Sequence, residues 1–170
     1  MAESDIQAAN PEPESPLVLL TGATGYVGNR LLPLLEQRDL RVRCLARNPD
    51  KLRSVVAEST EIVKGDVLER PSLDRALSGA TTAYYLVHLM ASSANFEKQD
   101  RNAAENFGAA AKDAGVKRII YLGGLGEEAD PKLSPHLRSR HEVGRIFACA
   151  GGIRTGPGLY QVGYRAIRGD

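Results

Sequence analysis

Apolar positions along this chain fall into short runs and helical stripes that take turns. Residues 17–20 (LVLL) form an unbroken apolar run with the length and bracketing of a buried parallel strand. From residue 27 the spacing turns helical, with Val27, Leu31, Leu34 and Leu35 expected on one buried face. Arg41–Ala46 alternates toward a second strand, a short helix is predicted over 49–57, and Glu61–Lys64 is a third strand closing on Gly65 and Asp66. A helix follows over 71–77, with Pro71 suited to its first turn and Gly79 to its exit. Residues 83–87 (AYYLV) read as a fourth strand. Phe96, Ala103, Phe107, Ala110 and Ala114 trace a helical stripe that Gly115 ends. A fifth strand over 118–122 stops at Gly123 and Gly124, and Val143, Ile146, Phe147 and Ala150 mark a helix over 135–150.

Repeated strand–helix units predict an α/β fold in a single domain: a Rossmann-type, doubly wound parallel sheet with helices on both faces. The sheet should wind outward in both directions from the first strand. Ligands of such sheets sit beyond the carboxyl ends of the strands, where strand order reverses. The glycine-rich and polar strand exits all fall on that edge.

The exit of the first strand carries the most specific chemistry. Gly22, Gly25 and Gly28 recur every third residue between a strand and a helix start, with Ala23, Thr24, Tyr26 and Val27 between them. Strand, glycine-rich turn and helix N-terminus together make an anion cradle. Gly22 and Gly25 let backbone N–H groups approach a pyrophosphate, with a positive φ open to Gly25. Gly28 lets helix and strand pack closely, and the helix dipole favours negative charge. Dinucleotide binding therefore outweighs an ordinary turn.

Composition narrows the partners. With 22 basic and 21 acidic residues the net charge is +1, which gives no argument for nucleic acid or membrane. Cys44 and Cys149 stand far apart without metal-ligand spacing and read as buried reduced thiols of a cytoplasmic protein. No metal site is expected. The acidic, proline-containing residues 1–15 have the character of a disordered lead-in and of neither a signal nor a transit peptide. Residues 16–152 form the expected dinucleotide-binding domain, and 153–170 an atypical tail with a weak edge strand near 159–162.

TGATGYVG, LARNPDKL after the second strand, GDV after the third and AGVKRIIYLGGLG around the fifth resemble the atypical short-chain dehydrogenase/reductase superfamily. The likeness is strongest to its NAD(P)H-binding branch, with NmrA-like regulators and complex I accessory-subunit relatives. It spans residues 16–152 and is more specific for the superfamily than for any one activity. It implies that Asp66 and Val67 lie against an adenine ring, with an Asp that caps its own turn an equally good account of Asp66. It also implies that Leu86, Val87 and His88 flank the cofactor's ribose and diphosphate. His88 is expected to line the pocket rather than to catalyse. NAD-preferring sites place an acid at the second strand's exit, whereas an arginine there accommodates the 2′-phosphate of NADP. This chain has Arg47 and no acid before Asp50, so NADP(H) is favoured, with NAD(H) the alternative.

The usual catalytic pair is missing. Active members of the wider superfamily use Tyr-x-x-x-Lys, yet none of the six tyrosines is followed four residues later by lysine. The corresponding helix reads Arg138-Ser139-Arg140-His141-Glu142, and Gly123 and Gly124 stand where a serine is expected. His136 and His141 are either substitute proton donors or part of a solvated helix face. No catalytic residue is assigned. An oxidoreductase of this family, a non-catalytic redox-sensing or regulatory module, and an assembly subunit that keeps the cofactor all remain open. Relatives continue into a sixth strand and a substrate domain. This chain departs from their pattern after about residue 148 and is expected to be truncated there, with a homodimer covering the apolar faces left exposed.

Overall fold

The computed structural model describes residues 15–88, 95–124 and 133–150, together with the backbone of Arg154–Thr155. The chain alternates strand and helix as β1 (Leu17–Thr21), α1 (Tyr26–Glu36), β2 (Arg41–Ala46), α2 (Asp50–Arg53), β3 (Glu61–Lys64) and α3 (Arg70–Leu77). It continues as β4 (Ala80–Tyr85), α4 (Phe96–Asp113), β5 (Arg118–Tyr121), α5 (Pro135–Cys149) and β6 (Arg154–Thr155). The strands form one sheet in the order β3-β2-β1-β4-β5-β6, and every pairing is parallel. The sheet grows from β1 to β3 on one side and from β4 to β6 on the other. Strand order therefore reverses between β1 and β4, which places the ligand-binding crevice at their exits.

β1 is buried along its whole length and serves both faces of the sheet. Leu17 and Leu19 join one core with Leu73, Leu77, Phe107 and Phe147, from α3, α4 and α5. Val18 and Leu20 join the other with Leu32, Leu35, Cys44 and Leu52, under α1 and α2. An unbroken apolar run is what a period-two strand needs when both of its faces are covered. The first core centres on Tyr85, whose ring meets Phe107 at 4.9 Å and Phe147 at 5.0 Å, both edge-on. Each such pair adds about 0.5–1.5 kcal/mol beyond area burial.

Four details depart from the sequence-based expectations. The buried face of α1 is Gly28, Leu32 and Leu35, while Val27 is 41% and Leu34 58% exposed. Gly28 sets this rotation, because a Cβ there would lie 2.2 Å from the Gly22 carbonyl oxygen. α2 is a single turn rather than a helix to 57, since Val55 and Val56 bring β-branched crowding just past its end. β4 begins at Ala80, earlier than expected, because Thr81 and Thr82 are polar yet β-branched and suit a strand. Cys44 is buried as expected, but Cys149 is exposed on the last turn of α5. The pair at Arg154–Thr155 extends the sheet beside β5. The predicted edge strand near 159–162 and the lead-in over 1–14 lie outside the described residues.

Candidate functional site

A cavity of about 280 Å³ opens where β1, β2, β3 and β4 end. Gly22, Ala23, Thr24 and Gly25 line it from the exit of β1, and Arg47 from that of β2. Asp66 and Val67 line it from the exit of β3, and Leu86, Val87 and His88 from that of β4. Tyr26, Val27 and Gly28 do not line it. Tyr26 is 76% exposed on α1, with the Arg30 guanidinium stacked 3.6 Å from its ring centroid. Thr21, Asn48 and Lys51 also line the cavity without having been singled out from the sequence, as does Gly65, which was read only as the close of the third strand. Lys51 had a signal, as a second base four residues beyond Arg47. Thr21 had none beyond closing an apolar run.

The glycines act at different points of the turn. Gly22 holds φ at +74°, and a Cβ there would lie 2.8 Å from the Leu86 carbonyl oxygen. A side chain at Gly22 would thus push the β1 and β4 exits apart. Gly25 differs from expectation, with φ at −81°, so its value lies in bareness rather than in a left-handed backbone. Its N–H donates to the Gly22 carbonyl at 2.9 Å, closing the turn. α1 starts at once afterwards. No side chain among the described residues caps it, and its first turn holds no acid. Its first N–H groups keep their hydrogen-bonding capacity beside the cavity, at the positive end of the helix dipole.

The other exits are held by local hydrogen bonds. Ser72 Oγ accepts the Asp66 N–H at 3.0 Å and lies 2.8 Å from the Asp66 carbonyl oxygen, to which it donates. Asp66 Oδ1 accepts the Leu68 N–H at 3.0 Å, so one carboxylate oxygen does cap the turn, as one of the two expectations had it. At the exit of β2, Asn48 Oδ1 accepts the Asp50 N–H at 3.1 Å, and the Asp50 carboxylate faces Arg53 at 3.4 Å. The nearest acid is thus drawn to Arg53. Arg47 and Lys51 have no ion pair among the described residues.

His88 is half-buried, with its ring edge-on to Tyr121 at 6.0 Å. Burial first, and then the positive charge of Arg140, push its imidazole down to about 4, so it is neutral at neutral pH. Burial, followed by the Asp100 carboxylate, pushes the Tyr85 phenol upward and keeps it protonated. On α5, Ser139 donates to Asp100 Oδ2 at 2.8 Å inside the protein, and His141 is buried. The solvated-face account of His141 therefore fails: it is buried, off the Ser139–Val143–Phe147 stripe and on the side of α5 that it shares with Gly144.

Residues 22–148 match the sequence pattern of a family described as NAD(P)H-binding. The chain belongs to that family. It is an NAD(P)H-binding Rossmann domain of the atypical short-chain dehydrogenase/reductase type. It is 30% identical over 114 residues to the NAD(P)H azoreductase of Xenophilus azovorans, covering 67% of this chain and 37% of that protein. It is 28% identical over 106 residues to a Stigmatella aurantiaca ketoreductase that acts on a farnesylated dihydroquinoline N-oxide, covering 61% of this chain and 32% of that one. The chain therefore spans about a third of the length of these relatives. The Citrobacter triphenylmethane reductase solved with NADP(H) superposes with a TM-score of 0.67 at 22% identity, over 78% of this chain and 45% of the other. No helix among the described residues is long and apolar enough to cross a membrane.

Proposed function

We propose that this domain is the NADP(H)-binding part of a reductase and prefers NADP(H) to NAD(H). One observation carries the preference: Arg47 and Lys51 line the same cavity as Gly22 and Gly25, while the nearby Asp50 faces Arg53. Two cations at the exit of β2 suit a 2′-phosphate, and each charge-assisted bond is worth about 1.5–3 kcal/mol.

In this reading the pyrophosphate lies on the backbone of Gly22, Ala23, Thr24 and Gly25 and on the first N–H groups of α1, at Tyr26, Val27 and Gly28. The adenine rests on Val67, and the free oxygen of the Asp66 carboxylate accepts from its amine. Leu86, Val87 and His88 flank the ribose nearer the nicotinamide, where neutral His88 offers one N–H and excludes water. The cavity volume falls just short of the roughly 300–1,000 Å³ usual for small-molecule sites. It suits the adenosine and phosphate end, with the remainder extending past His88. When bound, the cofactor supplies or accepts a hydride.

The relatives named as reductases support a reductase over an assembly subunit, and so does the NADP(H) complex of a structural neighbour. A non-catalytic, redox-sensing module is the second reading. It is favoured by Tyr121, whose hydroxyl donates to the Arg140 carbonyl at 3.1 Å, and by the lack of a Tyr-x-x-x-Lys pair. Residues 16–152 as the cofactor domain, a cytoplasmic site and a homodimer belong to the same proposal. The dimer is supported by Val27 and Leu34, exposed seven residues apart on α1. A thermal-shift series with NAD, NADH, NADP and NADPH tests the proposal. A ligand at about 100 times its dissociation constant stabilises the fold by roughly 2.7 kcal/mol. NADPH oxidation with a carbonyl panel then separates the two readings.

A further inference from the structure

α5 brings a further cation, Arg140, toward the β4 and β5 exits. The backbone of Arg140 is fixed by the Tyr121 hydroxyl, which donates to its carbonyl at 3.1 Å. Its aliphatic stem lies over Gly124, where a Cβ would stand 3.3 Å from Arg140 Cβ and 3.4 Å from Cδ. Glycine at that position makes room for the stem and, more tightly, for Leu137, whose Cδ2 would stand 2.9 Å from the same Cβ. The Arg140 Nε is buried and has no hydrogen-bond partner among the described residues. Its positive charge reaches His88, which also feels the opposing Asp100 carboxylate and the neighbouring His136. Asp100 in turn accepts from Ser139.

A buried guanidinium N–H without an acceptor is costly unless something supplies one. Its planar fork matches the two oxygens of a carboxylate in bidentate fashion. We propose that Arg140 anchors a carboxylate of the second substrate near His88. This rests on the cofactor lying in the cleft with its nicotinamide end toward His88. The expected substrate class is a small carboxylate-bearing acceptor such as a 2-oxo acid. His88 contributes a neutral ring edge that does not compete for the anion.

The test titrates sodium oxalate, at constant ionic strength, into protein saturated with NADP⁺ while the His88 imidazole resonances are followed by NMR. The expected result is a saturable shift in the parent protein, with uncharged oxamide giving none. Arg140→Gln should weaken oxalate binding at least about tenfold, the loss of a charge-assisted contact. It should also raise the pH at which His88 titrates. Arg140→Lys keeps charge without the fork, should weaken binding less, and serves alone if the glutamine variant fails to fold. No saturable shift with oxalate, or an affinity unchanged in both variants, overturns the proposal. If the protein takes no NADP⁺, it is the cofactor reading that has failed. The same titration then runs on free Arg47→Ala/Lys51→Ala protein, where the same outcomes decide.

Discussion

The Thr21 hydroxyl bridges the exits of β1 and β4: it accepts the Leu86 N–H at 3.2 Å and donates to the Tyr84 carbonyl at 3.0 Å. The contact is fully shielded on the Thr21 side. It holds Leu86 against Gly22 and so fixes one wall of the cavity. Thr21→Val keeps the shape and removes the hydroxyl. It should cost about 1–3 kcal/mol in urea unfolding, because a backbone donor and an acceptor lose their partner. Weaker NADP(H) binding should accompany that loss, and an unchanged midpoint would remove the bridging role.

Gly28 and Gly25 should respond in opposite ways. Gly28→Ala places a Cβ 2.2 Å from the Gly22 carbonyl oxygen and 2.8 Å from the Ala23 Cα, so thermal unfolding should drop sharply. Gly25→Val meets only the Gly22 oxygen, at 3.2 Å, on a backbone that any residue adopts. The fold should survive there, while cofactor affinity falls at least tenfold, about 1.4 kcal/mol.

Acid should destabilise the protein through His88. Its imidazole titrates near 4 when folded and near 6.5 when unfolded, so the unfolded chain takes up the proton first as pH falls. The stabilisation is complete above pH 6.5 and is lost progressively down to about 4, amounting to roughly 3 kcal/mol at most. Urea midpoints at pH 7, 5 and 4 should show this slope, and His88→Gln should flatten it.

Glu61 adds a second, lower step. Burial pushes its carboxyl upward, but hydrogen bonds from Arg43 at 2.7 Å and Arg41 at 2.9 Å outweigh that and hold it below the usual carboxylate range. Its stabilisation is full above the ordinary carboxylate range and is lost as pH falls through the depressed folded value. Glu61→Gln should remove this step and leave that of His88 intact.

Much of the fold could be read from residues 17–28 and from the strand exits, because strand, glycine-rich turn and helix start follow one another there in the order that a dinucleotide-binding turn needs. Phase was harder than period. Val27, Leu31, Leu34 and Leu35 satisfy helical spacing as well as Gly28, Leu32 and Leu35 do; Leu35 is buried as expected, and the close approach of Gly28 to the Gly22 carbonyl turns Val27 and Leu34 outward. Arg47, Asp66 and His88 could be found in the sequence as cavity-lining residues because each lies within three residues of a strand's end. Lys51 sits on α2, and its reach into the cavity depends on how that turn folds back. Burial of His141 was hidden because it lies off the stripe of Val143 and Phe147 that apolar spacing marks on α5.

Calorimetric titration of NADP(H) and NAD(H) against the parent protein and against Arg47→Ala and Lys51→Ala tests the central claim most directly. The account predicts that NADP(H) binds roughly ten- to a hundredfold more tightly than NAD(H). Each substitution should erode that ratio, and added salt should erode it further, while NAD(H) affinity stays nearly constant. Equal affinities in the parent, or variants that lose both cofactors alike, would contradict it.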